Sequence, residues 1–485
     1  MGAARDAIDK VDKAFGNTIE KLERDHHARR LRRLGHAASL EPPAGAGLWA
    51  AADPPPREGN DLQVLIDGQH VFSEIVKALK GAKSYVHIAG WHLEPDFQLA
   101  RDGERTSVRE ILADLAERVD VRVLLWAGPP VPAFRPTRAM IRAVRDELTA
   151  GTRIRCVLDS RERTMHCHHE KLVIVDGDVA FVGGVDLTSL SGDRWDTNRH
   201  EPRSGIGWHD AATQMHGPIV ADVAQHFRQR WQEAAGEPLP TPVAPPPAGE
   251  IQVQLLRTVP ERVYKFSPRG EFGILEGYLR ALRSAQHFVY LENQFLWSTE
   301  IAGVIMEKLR NPPSDTFRVL LMLPAKPNDG ADTTRGQLGA LIEADNHAGR
   351  LLAVTTHSHS GDRTGPVYVH AKIGIVDDKW LTVGSANLNE HSLLNDTEIN
   401  VATCDAELAR GTRRRLWSEH LVLPVEEVAG DPTTVIDELW RPIAEEQLAR
   451  RKQGLQQTHR LMELPAVSRR AKRLIGPMKG LLVDG

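Results

Sequence analysis

The chain repeats one ordered series of segments, and this repeat constrains the fold more than any other feature of its 485 residues. Four segments of the first half have counterparts in the second half: "DLQVLIDG" and "IQVQLLRT", "SEIVKALKGAKSYVHIAGWHL" and "GYLRALRSAQHFVYLENQFLW", "VRVLLWAGPP" and "FRVLLMLPAKP", and "HHEKLVIVDGDVAFVGGVDLT" and "YVHAKIGIVDDKWLTVGSANLNEHS". Self-similarity in one fixed order indicates an internal duplication. We therefore expect two copies that pack as a pseudo-symmetric pair.

Each copy alternates short β-rich runs with helical patterns. The runs "VRVLLWAG" and "EKLVIVDGDVAFVGG" are apolar and bounded by turn residues, whereas "VREILADLAERV" has apolar residues at helical spacing. This alternation is typical of layered α/β domains, so the sequence predicts an α/β lobe for each copy.

Proline-rich stretches divide the chain, because prolines favour extended, semi-rigid connections. One is "GEPLPTPVAPPPAG" and the other is "EPPAGAGLWAAADPPPREG". The predicted organisation has five parts: an N-terminal charged and amphipathic segment with a linker at 1–60, a first lobe at 61–235, a Pro-rich linker at 236–250, a second lobe at 251–425, and a basic, helical C-terminal extension at 426–485.

Composition limits the partners and the compartment. A formal net charge of −4 gives no overall basic field, so nucleic acid is not an expected partner. Three sparse cysteines (Cys156, Cys167 and Cys404) suit a reducing compartment rather than a disulfide framework. The N-terminus lacks the apolar core of a signal peptide, and no apolar run is long enough to span a membrane. We expect a cytoplasmic protein.

The last pair of repeated segments carries the candidate chemistry. Both contain a histidine, a lysine and an aspartate at H-x-K-x-x-x-x-D spacing: His169, Lys171 and Asp176 in the first copy, and His370, Lys372 and Asp377 in the second. Positions i and i+2 of a strand face the same side, so each histidine should lie beside its lysine, with Glu170 or Ala371 pointing away. A second apolar run follows each motif and ends near a polar residue, Asp186 or Asn387.

Two such motifs suit displacement at a phosphodiester. The attacking and leaving atoms lie roughly in line, and negative charge is spread over the equatorial oxygens. One imidazole can attack phosphorus while the other protonates the leaving alkoxide, and the two lysines can hold the equatorial oxygens. The resulting phosphohistidine would be attacked by water or an alcohol that the second histidine deprotonates. The residues themselves do not decide which histidine attacks.

The stretch "HCHH" at 166–169 raises zinc as an alternative, since cysteine and histidine are zinc ligands. The four residues are contiguous, however, so alternate side chains of a strand would face opposite sides. No second ligand pair of suitable spacing follows. The sequence therefore favours a site without a metal.

These residues resemble the phospholipase D superfamily, whose signature is the duplicated HKD motif. The likeness runs from about residue 61 to about residue 423, and "FVGGVDLTSLSGDRWDT", "VYLENQFLW", "VGSANLNEHSLLNDTEIN" and "RRRLWSEHL" look like its phosphatidylcholine-cleaving branch. The resemblance implies two pseudo-symmetric α/β lobes, each a mixed sheet flanked by helices, with the active site at their interface. It implies a phosphodiesterase that hydrolyses and transphosphatidylates glycerophospholipid, with no cofactor and no metal.

The resemblance also implies roles for single residues. His169 would be the nucleophile and His370 the general acid and base. The residues implied to contact phosphate are Lys171, Lys372, Ser385, Asn387 and, at the matching position of the first copy, Asp186. Asp210 in "WHD" and Glu398 in "DTEIN" are similar to the acidic residues that orient the histidines, where an acceptor fixes the tautomer. Asp176 and Asp377 complete the catalytic set.

Other functions could use the same residues. A superfamily nuclease has the same catalytic device, but the near-neutral composition does not favour it. A cardiolipin synthase-like phosphatidyltransferase would use a lipid alcohol as the acceptor. A non-enzymatic lipid-binding scaffold would not need to keep both imidazoles and both lysines.

Both ends carry basic amphipathic patterns. Apolar residues recur at helical spacing in 5–24, "RRLRRL" follows at 29–34, and the C-terminal extension combines arginine and lysine with scattered apolar residues. Such segments can lie on an anionic membrane surface or pack on the protein's own catalytic domain. The first reading predicts peripheral contact with a membrane.

Overall fold

The computed structural model describes residues 18, 20–43, 45–101, 106–130, 135–325 and 331–465. Most of the amphipathic pattern predicted at 5–24, namely 5–17 and residue 19, and the end of the C-terminal extension, 466–485, lie outside these residues. Helix α1 (20–34) and the short α2 (Ala37–Leu40) precede the first lobe.

The elements of the first lobe are β1 (Arg57–Ile66), α3 (Asp67–Lys80), β2 (Tyr85–Gly90), β3 (Gln98–Ala100), β4 (Thr106–Ser107), α4 (Val108–Ala116), β5 (Asp120–Trp126), α5 (Arg138–Thr149), β6 (Arg155–Asp159), β7 (Leu172–Val175), β8 (Val179–Gly183), β9 (Gly207–His209), β10 (Ala211–His216) and α6 (Ile219–Ala235). Two of its helices have side-chain N-caps: Ser107 forms a capping box with Glu110, and Thr137 accepts from Met140 N.

The elements of the second lobe are β11 (Ile251–Val259), β12 (Glu271–Phe272), α7 (Gly273–Ser284), β13 (Phe288–Glu292), α8 (Thr299–Arg310), β14 (Arg318–Met322), α9 (Ala331–Asp345), β15 (Leu351–Ser360), β16 (Arg363–Val369), β17 (Ile373–Val376), β18 (Trp380–Gly384), β19 (Glu398–Thr403) and α10 (Ala406–Leu421). Two π-helical turns, His391–Asn395 and Ile436–Trp440, interrupt the regular elements. The chain continues through α11 (Pro432–Val435), α12 (Arg441–Lys452) and β20 (Leu461–Glu463).

Each lobe is built on a mixed sheet, and the two sheets have the same strand order. The first is β1–β10–β8–β7–β2–β5–β6, and the second is β11–β19–β18–β17–β13–β14–β15. In both sheets the last two pairings are parallel and the others antiparallel. The duplicated α/β fold predicted from the repeat is therefore confirmed. Edge strands β1 and β11 also pair with each other, which joins the two sheets.

Buried apolar side chains hold the sheets between helices. Helices α3, α4 and α5 share one core with the first sheet, and α7, α8 and α9 share another with the second. Helices α6 and α10 pack on the other faces, in cores that mix both lobes: Val64 and Ile66 of β1 lie with α10, whereas Ile399 and Val401 of β19 lie with α6. Burying each such side chain contributes about 1.5–3 kcal/mol, so the lobes are held together by their cores.

The terminal segments pack on the second lobe. Leu31 of α1 is fully buried in the second core, Arg30 donates to Glu261, and His27 lies 2.7 Å from a carboxylate oxygen of Glu300. The predicted C-terminal extension is helical only in part, because Leu461–Glu463 forms β20 and pairs with β15. No helix among the described residues combines the length and the apolar character needed to cross a membrane.

Candidate active site

The two motif histidines lie where the lobes meet. Each comes just before a fully buried strand: His169 before β7 and His370 before β17. The backbone N–H of His169 donates to the carbonyl of Thr397 (2.9 Å), and that of His370 donates to the carbonyl of His209 (2.8 Å). Each histidine is therefore anchored by the opposite lobe.

The opposite lobe also supplies a carboxylate to each imidazole. Nδ1 of His169 lies 3.0 Å from Oε1 of Glu398, which is on the second lobe, and Nδ1 of His370 lies 2.7 Å from Oδ2 of Asp210, which is on the first. The two rings lie on opposite sides of the interface, with their centroids 6.5 Å apart and their planes inclined by 71°. Because each Nδ1 is bound to a carboxylate, chemistry at either ring falls to Nε2.

The small residues after each motif make room for these carboxylates. A Cβ at Gly184 would come within 2.2 Å of Oδ1 of Asp210, so glycine permits the close approach of this acid. The second copy has Ser385 at the matching position, and its hydroxyl donates to Glu398. In this structure Ser385 therefore orients the carboxylate, and its implied contact with phosphate stays a prediction.

Both motif lysines turn back toward their own histidines. Nζ of Lys171 donates to the carbonyl of His169 (2.6 Å) and lies 3.2 Å from Asp186, and Nζ of Lys372 donates to the carbonyl of His370. All four side chains are at most 4% exposed. The structure thus brings the predicted histidine–lysine pairs together.

The polar residue after the second motif lies close to its lysine. Nδ2 of Asn387 and Nζ of Lys372 both lie 3.4 Å from Oε1 of Gln294. Gln294 is in "VYLENQFLW" after β13, and sequence reasoning did not assign it a role. Its position in a repeated segment, directly after a buried strand, was the available signal.

Burial shifts pKa values within the two imidazole–carboxylate pairs, His169–Glu398 and His370–Asp210, which we call the dyads. It raises the pKa of Glu398 to about 8, although Lys171 and two serine hydroxyls act in the opposite direction. It also raises the pKa of Asp210 to about 6, against the charge of Lys372. Burial and the nearby cations Lys372 and Arg194 hold the pKa of His370 well below its usual value. These effects favour the neutral form of the His370 imidazole in the site without substrate.

The motif aspartates do not belong to the site, which corrects their predicted catalytic role. Asp176 follows β7 and accepts from the backbone N–H groups of residues 83–85, and Asp377 follows β17 and accepts from those of residues 286–288. Each lies at the far end of a four-residue strand, about 16 Å along the chain from its lysine. These carboxylates fix the start of the neighbouring strand, β2 or β13.

Glu170 points away from the imidazoles, as the strand periodicity predicted. It accepts from Arg230 and lies 2.6 Å from Nε2 of His226. Arg230 also donates to Asp159 (2.8 Å), and this whole network is buried. The network holds the motif strand against α6 from behind.

An aromatic and a cation beside His370 were missed from the sequence. The ring of Trp208 lies 4.4 Å from that of His370, and the guanidinium of Arg194 stacks on Trp208 at 3.8 Å. Trp208 precedes Asp210 by two positions, so a strand periodicity placed both on one side. Arg194 lies in the irregular segment between β8 and β9, where no periodicity could locate it.

The residues of "HCHH" point to separate partners. Nδ1 of His166 lies 3.0 Å from Nδ1 of His391, Cys167 packs in a small apolar cluster, and His168 lies 2.9 Å from the hydroxyl of Thr397. Among the described residues, the four side chains of this stretch do not converge on one point.

The fold and the site define a class of protein in which an internal duplication assembles one imidazole pair between two α/β lobes. A family model described as Phospholipase D matches residues 78–204, and one described as Cardiolipin synthase, PLD-like domain matches residues 278–419. Each match covers one motif-bearing lobe.

Similar proteins agree with these matches. Phospholipase D A of Dictyostelium discoideum is 26% identical over 465 residues, which cover 76% of this chain and 36% of that protein. Phospholipase D1 of Schizosaccharomyces pombe (25% identical; 77% and 36% covered) and phospholipase D alpha 4 of Arabidopsis thaliana (25% identical; 74% and 64% covered) are also similar. The chain thus spans only 36–64% of the length of these relatives.

A solved structure shows the same fold. Phosphatidylserine synthase of Haemophilus influenzae Rd KW20 superposes with a TM-score of 0.52 at 13% identity, over 74% of this chain and 85% of that one. The chain belongs to the phospholipase D superfamily, as the duplicated motif predicted.

Proposed function

We propose that this protein cleaves glycerophospholipid phosphodiesters and transfers the phosphatidyl group to water or an alcohol through a phosphohistidine. The observation that carries the proposal is the pair of imidazole–carboxylate dyads. The centroids of their two imidazole rings lie 6.5 Å apart, and each dyad has a lysine beside it. This spacing suits a tetrahedral phosphorus between two Nε2 atoms, so that one can attack while the other serves the leaving oxygen.

In the first step, Nε2 of His169 attacks phosphorus and forms the P–N bond. The bond between phosphorus and the headgroup oxygen breaks, and that oxygen takes the proton from Nε2 of His370, which enters this step as the imidazolium because the negative charge of the bound phosphodiester favours the protonated ring. The positive charge that develops on the His169 ring favours the ionised form of Glu398, which accepts from Nδ1–H of His169 and stabilises that charge. The equatorial oxygens carry the negative charge, which Lys171 and Lys372 offset.

In the second step, water or an alcohol attacks the phosphohistidine. Nε2 of His370, now deprotonated, takes the proton of the acceptor hydroxyl, while Asp210 holds its Nδ1–H. The P–N bond breaks, and the electron pair returns to Nε2 of His169. Water yields a phosphatidic acid, and a primary alcohol yields a phosphatidyl-alcohol.

Lipid as the substrate class is supported by the similar proteins, which are named phospholipases D. A cardiolipin synthase-like phosphatidyltransferase is a second candidate, because the model that matches the second lobe carries that description. The two functions share the first step and differ in the acceptor, since a synthase would use the hydroxyl of a second lipid. A nuclease of the same superfamily has no supporting observation beyond the shared motif.

We propose that the protein binds at the membrane surface. Helix α1 carries five exposed basic residues, of which Arg29 and Arg33 lie on the face opposite the buried Leu31; the others are Lys21, Arg24 and Arg32. An anionic bilayer attracts each such charge by about 1 kcal/mol. Sedimentation with vesicles of increasing phosphatidylserine content tests this, and binding that does not change with that content contradicts it.

The function is tested by headgroup release from mixed phospholipid vesicles, with and without a primary alcohol. We expect release in the wild type, with a phosphatidyl-alcohol formed when alcohol is present, and loss of both in His169→Ala and His370→Ala. His87→Ala is the matched control, because His87 is a buried histidine of β2 that stacks on Phe227 rather than on the dyads. Cleavage of single-stranded DNA without lipid turnover would refute the substrate class.

A second experiment tests the order of the histidines. A phosphodiester with a p-nitrophenyl leaving group needs little acid catalysis. His370→Gln should therefore still release p-nitrophenol and accumulate a base-stable phosphohistidine, detectable by mass spectrometry at His169. His169→Gln should form no adduct, and an adduct on His370 would reverse the two roles.

A further inference from the structure

A second cluster of histidines and carboxylates lies behind the active site. It contains Asp67 at the start of α3, His200 and His209 of the first lobe, and Glu419 of α10. The side chains of the first three have no exposed surface, and that of Glu419 is 6% exposed. One potential ligand atom from each residue lies within 4.8 Å of the other three.

We propose that Asp67, His200, His209 and Glu419 bind one divalent transition-metal ion of the zinc class. Nδ1 of His209 lies 2.9 Å from Asp67 and 3.3 Å from Glu419, and Nε2 of His200 lies 3.3 Å from Glu419 and 3.5 Å from Asp67. Ligands 2.0–2.2 Å from a tetrahedral ion are themselves about 3.3 Å apart. Oε1 of Glu419 lies at this distance from both imidazole nitrogens, and Asp67 approaches His209 with Oδ1 and His200 with Oδ2, so the four side chains can surround a single ion.

The outer nitrogen of each imidazole is held as metal-bound histidines usually are. Nε2 of His209 lies 2.8 Å from Glu292, and Nδ1 of His200 lies 3.0 Å from Asp196. A carboxylate on the remote N–H fixes the ring orientation and raises the basicity of the coordinating nitrogen. Both histidines have this partner on the side that faces away from the cluster.

The carboxylates around the two imidazoles, and one buried carboxylate oxygen without a hydrogen bond, also point to a cation. Oδ2 of Asp67 is buried and accepts no hydrogen bond. A neutral imidazole donates from only one nitrogen, yet His200 and His209 have carboxylates at both. A divalent ion on the inner nitrogens would bind Asp67 and Glu419 and leave each outer N–H free to donate to its carboxylate.

The ion would act on the active site through the backbone, not at the reacting atoms. The carbonyl of His209 accepts from the backbone N–H groups of His370 (2.8 Å) and Ala371 (3.1 Å), and Asp210 is the next residue. The ligands come from both lobes. Its role is therefore to fix the lobes together and to position the His370–Asp210 dyad. A cavity of about 670 Å³ is lined in part by Glu419, whose side chain is the partly exposed one of the four.

The inference does not depend on the substrate, so it is tested without turnover. Full-length protein is purified in chelator-free buffer, and bound metals are measured by elemental mass spectrometry. Dialysed protein is then titrated with Zn²⁺ by calorimetry and with Co²⁺ by visible absorption. We expect about one ion per chain, strong absorption from four-coordinate Co²⁺, and a rise in melting temperature with Zn²⁺.

Two variants locate the ion. His200→Ala and Glu419→Gln should lower Zn²⁺ uptake at least tenfold, whereas His226→Ala should keep it, because His226 is an equally buried histidine paired with one carboxylate outside the cluster. The wild type alone decides whether an ion binds if a variant fails to fold. A folded wild type that takes up neither Zn²⁺ nor Co²⁺ overturns the proposal, and so does uptake that persists in both cluster variants.

Discussion

The buried carboxyl group of Glu398 is expected to lower the stability of the folded protein as pH rises. Its ordinary pKa is 4.5, and burial raises the folded-state value to about 8. Between these values the folded state keeps a proton that the unfolded state has lost. The free energy of unfolding must therefore fall as pH rises through this window, by up to about 1.4 kcal/mol for each pH unit. Glu398→Gln removes the titration and should remove this part of the pH dependence.

The magnitude follows from the width of the window. From pH 5 to pH 8 the variant should gain stability over the wild type by about 2–4 kcal/mol, where the upper limit is the full linkage slope. The lower figure allows for the hydrogen bonds that the carboxylate accepts from Ser385 and Ser392. Activity should fall by about 10²–10⁴, because an amide cannot stabilise the charge on His169.

Urea unfolding of both proteins at pH 5, 6, 7 and 8, followed by tryptophan fluorescence, measures the difference. Glu170→Gln is the matched control: Glu170 is equally buried, but Arg230 and His226 overcome the effect of burial and lower its pKa to about 2. The stability that Glu170 gains from this shift is lost only as pH falls through 4.5 and below, so its difference should be flat from pH 5 to 8. A flat difference for Glu398→Gln as well would refute the reasoning.

Three further variants separate chemistry from structure. Asp210→Asn should lower kcat by about 10²–10⁴ with little change in KM, because the amide holds Nδ1–H of His370 less firmly; steady-state kinetics decide this, and an unchanged kcat would contradict it. Asp176→Ala should lower the free energy of unfolding by about 1–3 kcal/mol, since three backbone N–H groups lose their acceptor, while activity per folded molecule is kept. Arg230→Met should lose about 3–5 kcal/mol in urea unfolding, because it leaves Glu170 and Asp159 as buried, unpaired charges; a loss below 1 kcal/mol would mean that His226 and Tyr264 compensate.

The fold could be predicted from the sequence because the repeat is contiguous and ordered. The run between the lysine and the aspartate of each motif, "LVIV" or "IGIV", contains no polar residue, as expected for a strand buried on both faces, and β7 and β17 are fully buried. The pairing of each histidine with its lysine followed from local spacing. These features depend only on neighbours along the chain, and periodicity reports such neighbours well.

The resemblance supplied Asp210 and Glu398 as the orienting acids, but local spacing could not predict which histidine each acid binds. Asp210 lies 41 positions after His169 in the sequence, yet it binds His370. Glu398 follows the second motif, yet it binds His169 of the first. Only the docking of the lobes decides this exchange. Asp176 was assigned to the site because both motifs have the same H-x-K-x-x-x-x-D spacing. The same spacing also fits an aspartate that follows the motif strand and anchors the start of the neighbouring strand β2.

The exchange of carboxylates makes catalysis depend on how the lobes dock. Neither lobe alone contains an imidazole together with the acid that orients it, so a change at the interface can abolish activity without touching a reacting atom. The parallel pairing of β9 with β16 delivers Asp210 and His370 to one another, because Val369↔His209 is the last pair before the dyad. A variant that weakens this pairing should lower kcat and the cooperativity of unfolding together. Interface packing and the position of the dyad are thus one structural property of this fold.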